Sequence, residues 1–274
     1  MIAAARSLNL EVRGIRKIDA GGKIIAVHFL NDHAGFVLGE EGMVVVAPDG
    51  RETRALAHAG AILSIASSDH EIITGGDDGR VVATSKCGAT RVVVTDAQHR
   101  WIDSVAVSPA GRVAWSAGKH AYVISESCRP CCVDVGAGVT GVTFGPGSRT
   151  VAVSHYGGVT LWDPWDGAAS RRLECKGAHV EAKFSPRGNF IVTRMREPAL
   201  HGWRLQDRRE MPMHGYTTRV HCVDWTPGGK WLATSGSRYL VLWPFEQAET
   251  PLAGVPILLA GYRAESTAVS CHPR

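Results

Sequence analysis

Val105-Ala106-Val107-Ser108-Pro109 is the first of four copies of one small box: an apolar residue, any residue, an apolar residue, any residue, proline. The others are Val142-Thr143-Phe144-Gly145-Pro146, Ala182-Lys183-Phe184-Ser185-Pro186 and Val223-Asp224-Trp225-Thr226-Pro227. Their prolines stand 37, 40 and 41 residues apart, and a fifth copy, Val269 to Pro273, ends one residue before the sequence does. A fixed period near forty built from short strands predicts stacked sheets.

The stretch that follows the Val223 box shows what one unit contains. Gly228-Gly229 turns the chain, Lys230 to Ser235 reads as a second strand, and Gly236-Ser237-Arg238 turns it again. Tyr239 to Pro244 is a third strand and Pro256 to Gly261 a fourth. Apolar residues at every second position between glycine or proline breakers predict an antiparallel meander. Third strands recur at Met43–Gly50, Arg80–Gly88, Ala121–Ser127, Gly158–Gly167 and Leu200–Leu205, and fourth strands at Thr90–Asp96, Cys131–Val135 and Arg171–Cys175. Two first strands lack the proline, Ile25–Leu30 and Ile62–Ser67.

The fold expected is therefore all-β: a β-propeller of four-stranded antiparallel blades, six complete blades plus the start of a seventh, in one domain over 1–274. Residues 1–24 form an N-terminal segment with a candidate closing strand, Gly14–Ala20, and 266–274 read as the first strand of an incomplete blade. On this reading the chain is a truncated member of a longer parent; the alternative is a six-bladed ring with Thr267–Cys271 as its latch.

The residues also resemble the WD-repeat family. Leu161-Trp162-Asp163 carries its eponymous dipeptide, and Trp203 and Trp243 hold the same place in other units. Thr74-Gly75-Gly76-Asp77-Asp78-Gly79 resembles the family's turn between second and third strands. His58, His99, His179 and His214 precede their units where that family places a Gly-His pair. The resemblance implies a tetrad in each blade of histidine, hydroxyl, turn aspartate and third-strand tryptophan. Unit two has His58, Thr74 and Asp78 but Thr84 for the tryptophan, and no unit carries the full set.

Composition narrows the function. With 30 basic and 26 acidic residues the net charge is only +4, which argues against nucleic acid or a membrane as partner. No stretch approaches ~18 consecutive apolar residues. No signal peptide is read in the first residues, and seven scattered cysteines suit reduced thiols, so a cytoplasmic location is expected.

Gly136-Ala137-Gly138-Val139-Thr140-Gly141 spells a dinucleotide fingerprint, but that motif needs a helix behind it and the next residues are a proline-box strand. Cys128, Cys131 and Cys132 supply half a zinc site at most. No nucleophile elbow, zincin or calcium-loop pattern occurs. The expectation is a non-catalytic chain with no cofactor and no metal.

The family resemblance places the loops between blades, and the turns between second and third strands, on one face around the channel. There the sequence puts Arg100, Trp101, Lys119, Tyr156, Arg194, Arg196, Tyr216, Arg219, Arg238 and Tyr239. Aromatics and arginines are what binding hot spots favour. The partner expected is a protein or peptide with an acidic portion, on a scaffold; an RNA-binding factor is the second reading and a channel enzyme the third.

Overall fold

The structure, a computed structural model, describes residues 18–125, 129–166, 170–236, 238–245, 255–259, 266 and 269–271. Among these all regular structure is strand, in five antiparallel sheets. The first holds β1 (Ile24–Leu30), β2 (His33–Leu38), β3 (Gly42–Val46) and β4 (Glu52–Leu56). The second holds β5 (Ile62–Ser67), β6 (Glu71–Gly76), β7 (Arg80–Ser85) and β8 (Thr90–Thr95). The third holds β9 (Ser104–Val107), β10 (Val113–Ala117), β11 (His120–Ile124) and β12 (Cys131–Asp134). The fourth is six-stranded: β13 (Val139–Phe144), β14 (Val151–Trp162), β15 (Arg171–Phe184), β16 (Phe190–Met195), β17 (Leu200–Arg204) and β18 (Arg209–Met213). The last holds β19 (Val223–Trp225), β20 (Trp231–Thr234), β21 (Leu240–Pro244) and β22 (Ile257–Leu259).

The count of six blades plus the start of a seventh is thus corrected to five. The stretches read as units four and five share one sheet, because β14 and β15 run on where breaks were expected. β15 pairs with β14 over Arg171–Glu174 and with β16 over His179–Phe184. Gly158 (φ 139°) and Gly177 (φ 143°) bend these strands in a region that only glycine enters freely. A Cβ on Gly158 would stand 2.0 Å from the Leu173 carbonyl oxygen. In the candidate closing strand Gly14–Lys17 lie outside the described residues, and Ile18–Ala20 are not strand. Val269–Cys271 are not strand either, although the Cys271 N–H donates to Asp224 Oδ2 at 2.7 Å beside β19.

Successive residues of one strand serve opposite interfaces. Ile72 packs toward the first sheet with Leu30, Val37 and Met43, while Ile73 packs toward the third with Ile102, Val113 and Trp115. The same alternation places Ala114 with Val151, Val153 and Trp162. The six-stranded sheet folds on itself around Val159, Leu173, Ile191 and Trp203, and its far face meets the last sheet through Met211, Met213, Leu232 and Trp243. Period-two strands with both faces apolar can only be satisfied by a neighbour on each side, which is the propeller arrangement.

The proline box is explained by its turn. In each copy the residue before proline closes a hairpin, as Ser108 N–H does to the Arg112 carbonyl at 2.9 Å, and its own carbonyl accepts the N–H three residues on. Proline pre-sets the first turn position and the fourth must adopt positive φ. Gly111, Gly188 and Gly229 do so at 74°, 72° and 71°. The Val142 copy has Ser148 there, at φ 54°.

Candidate functional site

The residues expected on the binding face divide into those held inside the sheets and those left outside. Arg100 is held. Its guanidinium donates to Asp96 at 2.7 and 3.1 Å and to the Tyr122 hydroxyl at 3.0 Å, with Tyr122 stacked on Trp115 at 5.2 Å. The Arg100 side chain pulls the buried Asp96 carboxyl down to about 2 and is itself kept charged. Arg194 donates to Glu181 at 2.8 Å on the paired strand β15. Both arginines are half-buried and engaged in bonds within the chain.

Tyr216 is also held, and its role was missed. Its hydroxyl accepts the Trp243 indole N–H at 2.6 Å and lies 2.8 Å from the Thr234 hydroxyl. His58 stands in the same relation to Thr74 (2.8 Å) and Asp78 (3.0 Å), and His179 to Thr193 (2.8 Å), with Trp203 5.6 Å away. Burial alone would raise the Asp78 carboxyl, but the Ala59 N–H, His58 and the Arg80 guanidinium hold it well below the usual carboxylate range. Tyr216 therefore replaces the histidine of a tetrad. The threonine two sheet positions away was the available signal: the bonded partners are separated by 16, 14 and 18 residues in the three cases.

Of the two remaining expected tetrad histidines, His99 sits exposed at a left-handed turn and His214 is exposed. His155 does the locking instead. It is buried, donates through Nδ1–H to the Tyr156 carbonyl at 2.9 Å and accepts from the Thr160 hydroxyl at 2.9 Å. Trp162 is buried, and Asp163 after it takes the Arg149 guanidinium, which holds its carboxyl below the usual carboxylate range.

Trp101, Lys119, Tyr156, Arg196, Arg219, Arg238 and Tyr239 are exposed. Three of the expected residues converge. Tyr216, Arg238 and Tyr239 line a groove of about 450 Å³, floored by Val241 and Trp243 and walled by Pro256 and Leu258. Arg219 is brought beside it because the Thr218 hydroxyl donates to the Gly236 carbonyl, at the turn that carries Arg238. His214 stands at the same rim. Tyr156 lies elsewhere, on a cavity of about 650 Å³ along β15.

The glycine run at 136–141 leads into the strand β13, so no helix N-terminus faces it. Cys128 lies outside the described residues, and Cys131 and Cys132 stand on β12. No helix among the described residues is long and apolar enough to cross a membrane.

A family model, WD40 ("WD domain, G-beta repeat"), matches residues 207–244, which span the Tyr216, Thr234 and Trp243 lock. That stretch matches a single WD repeat. No curated protein matches the chain. Among solved structures, the chain is similar to the Cps50 (Swd1) beta-propeller domain of Myceliophteria thermophila. The TM-score is 0.68 at 12% identity, over 94% of this chain and 92% of that one. A likeness at that identity speaks to the fold, and the fold is a β-propeller.

Proposed function

We propose that this chain is a non-catalytic WD-repeat propeller that serves as a platform for a protein partner. Its binding edge is the groove at Tyr239, Trp243 and Arg238. The observation that carries the reading is that groove: an apolar, aromatic floor with cationic side chains at its rim. A rim arginine beside a recessed aromatic pocket suits a peptide that inserts an apolar side chain next to an acidic one. Trp101, Lys119 and Arg196 extend the exposed cationic and aromatic surface along the arc, whereas Arg100, Arg194 and Tyr216 are spent on internal bonds. WD-repeat propellers in general act as scaffolds, which fits a chain in which polar groups lock sheets.

The test is capture of partners from the source cell with the full chain, then with Arg238→Glu and Tyr239→Ala. Both variants should lose the same partner, and loss should deepen with salt, while Lys119→Glu on a distant sheet should change binding less. Retention of every partner by both groove variants refutes the groove. RNA bound with a steep salt dependence would replace this reading with the nucleic-acid one.

A further inference from the structure

Between the two halves of the six-stranded sheet lies a constellation unconnected with that groove. Cys175 lies at the register shift of β15 against β14, between the paired Glu174 and Ala178 and two residues before the bend at Gly177. Its Sγ lies 3.4 Å from His201 Nδ1 on β17. On the other side of that ring, His201 Nε2 lies 3.2 Å from Glu210 Oε2 on β18. Thiol, imidazole and carboxylate stand in line, the order in which a nucleophile, its base and the group that steadies the base are arranged.

The imidazole is positioned for this. Its ring is buried against Trp203, with centroids 4.5 Å apart, and edge-on to His179 at 6.2 Å. His179 donates its Nε2–H to the Cys175 carbonyl at 2.9 Å, which anchors the cysteine backbone. His201 Nε2 is buried and makes no well-aligned hydrogen bond, with Glu210 as its close carboxylate. A buried N–H without a good acceptor is costly at rest, and a positive ring would draw Glu210 into line.

The sulfur is reachable. Cys175 and Glu210 both line the cavity of about 650 Å³, together with Tyr156, Arg172 and Lys176. Arg172 donates to the Val135 carbonyl at 2.5 Å, and Lys176 and Glu174 are exposed beside it, so cations and carboxylates share the mouth.

We propose that Cys175, with His201 as its proton acceptor, is a thiol–disulfide exchange site for small disulfides that enter this cavity. His201 Nδ1 takes the thiol proton, and the sulfur attacks one sulfur of the incoming disulfide. That S–S bond breaks, and a new one forms to Cys175. The departing thiolate takes the proton back from the imidazolium, so one thiol and one disulfide become a mixed disulfide and a new thiol. Burial pushes the Cys175 thiol up and His201 down. The resting pair is therefore neutral, with the proton on sulfur and the ring free to receive it. Glu210 and Glu197 face the thiol, and Glu210, His179 and His214 face the imidazole.

The experiment treats the reduced chain with glutathione disulfide and follows the adduct by intact mass and peptide mapping. Cys87 is the internal control: it is exposed, and the Ser85 hydroxyl lowers its thiol's ionisation point. Acidity alone would make Cys87 react first. The proposal expects Cys175 to react first, and Cys175→Ser to abolish that fast phase. His201→Gln should slow the reaction at pH 7 by about tenfold and leave a plain thiol pH profile. Glu210→Gln, at an exposed carboxylate, should slow it severalfold. The proposal is overturned if Cys87 reacts first, or if neither variant changes the rate or the profile. Should His201→Gln fail to fold, Glu210→Gln and the order of the two thiols decide.

Discussion

Replacing Tyr216 by Phe isolates one oxygen atom. In the folded chain that oxygen accepts the Trp243 N–H at 2.6 Å and bonds the Thr234 hydroxyl at 2.8 Å. Phenylalanine keeps the ring and its apolar contacts, so no cavity opens. Thr234 keeps a second partner, the Val241 carbonyl at 3.3 Å, and is little affected. The indole N–H is left without an acceptor, and Trp243 is buried. A buried donor so stranded costs about 1–3 kcal/mol. In a chain of this size each kcal/mol lowers the melting temperature by about 2–4 °C. Urea unfolding should therefore show a lower midpoint with an unchanged slope, and calorimetry a drop of several degrees. Trp243→Phe should cost less in the Tyr216→Phe background than in the parent, because the bond is already gone. A loss under about 0.5 kcal/mol, or additivity of the two changes, would refute the assignment of Tyr216 as the histidine of its tetrad.

Ser148→Gly should raise stability by about 0.5–1 kcal/mol, since Ser148 holds a positive φ where three sister turns have glycine; a measurable loss in urea unfolding counts against the turn reading. Thr84→Val should be neutral or stabilising by about 1 kcal/mol, because the buried Thr84 hydroxyl makes no hydrogen bond; marked destabilisation would mean that it has a partner. Asp96 carries a depressed folded value of about 2 against about 3.9 unfolded, so its contribution is complete above the unfolded value and is lost as pH falls toward 2. The stability gap between the parent and Asp96→Asn should then shrink steadily from pH 5 to pH 2, and a gap independent of pH would contradict it.

Strand positions were legible because alternation and turn chemistry agree locally. Trp231–Thr234 and Leu240–Pro244 fall inside the second and third strands read around the Gly236 turn. The number of sheets was not legible, because it depends on what Gly158 and Gly177 do. As letters they are breakers, and in the fold they let β14 and β15 continue. The binding face was legible only in part. Exposure of Trp101, Tyr239 and Arg238 follows from turn positions, but nothing in the sequence says that Arg100 will find Asp96 and Tyr122. Spacing marks where a residue stands in a blade; whether its polar end faces inward depends on the chemistry of strands 20 residues away. The Cys175, His201 and Glu210 alignment is of the same kind, since the bend at Gly177 creates it.

The locks described for the separate sheets are made of different materials, and that has a consequence for how the ring comes apart. The second sheet is pinned by an imidazole and a carboxylate, the third by a guanidinium and a carboxylate, the last by a phenol, an indole and a hydroxyl. Acid discharges the carboxylates of the first two and salt weakens them, while neither touches the third. A ring assembled from near-identical units is thus given a weak sector whose place changes with the solution. Acidification toward about pH 2 should loosen amide protons first in β6, β7, β10 and β11, with β20 and β21 still protected, so that opening has an address chosen by pH.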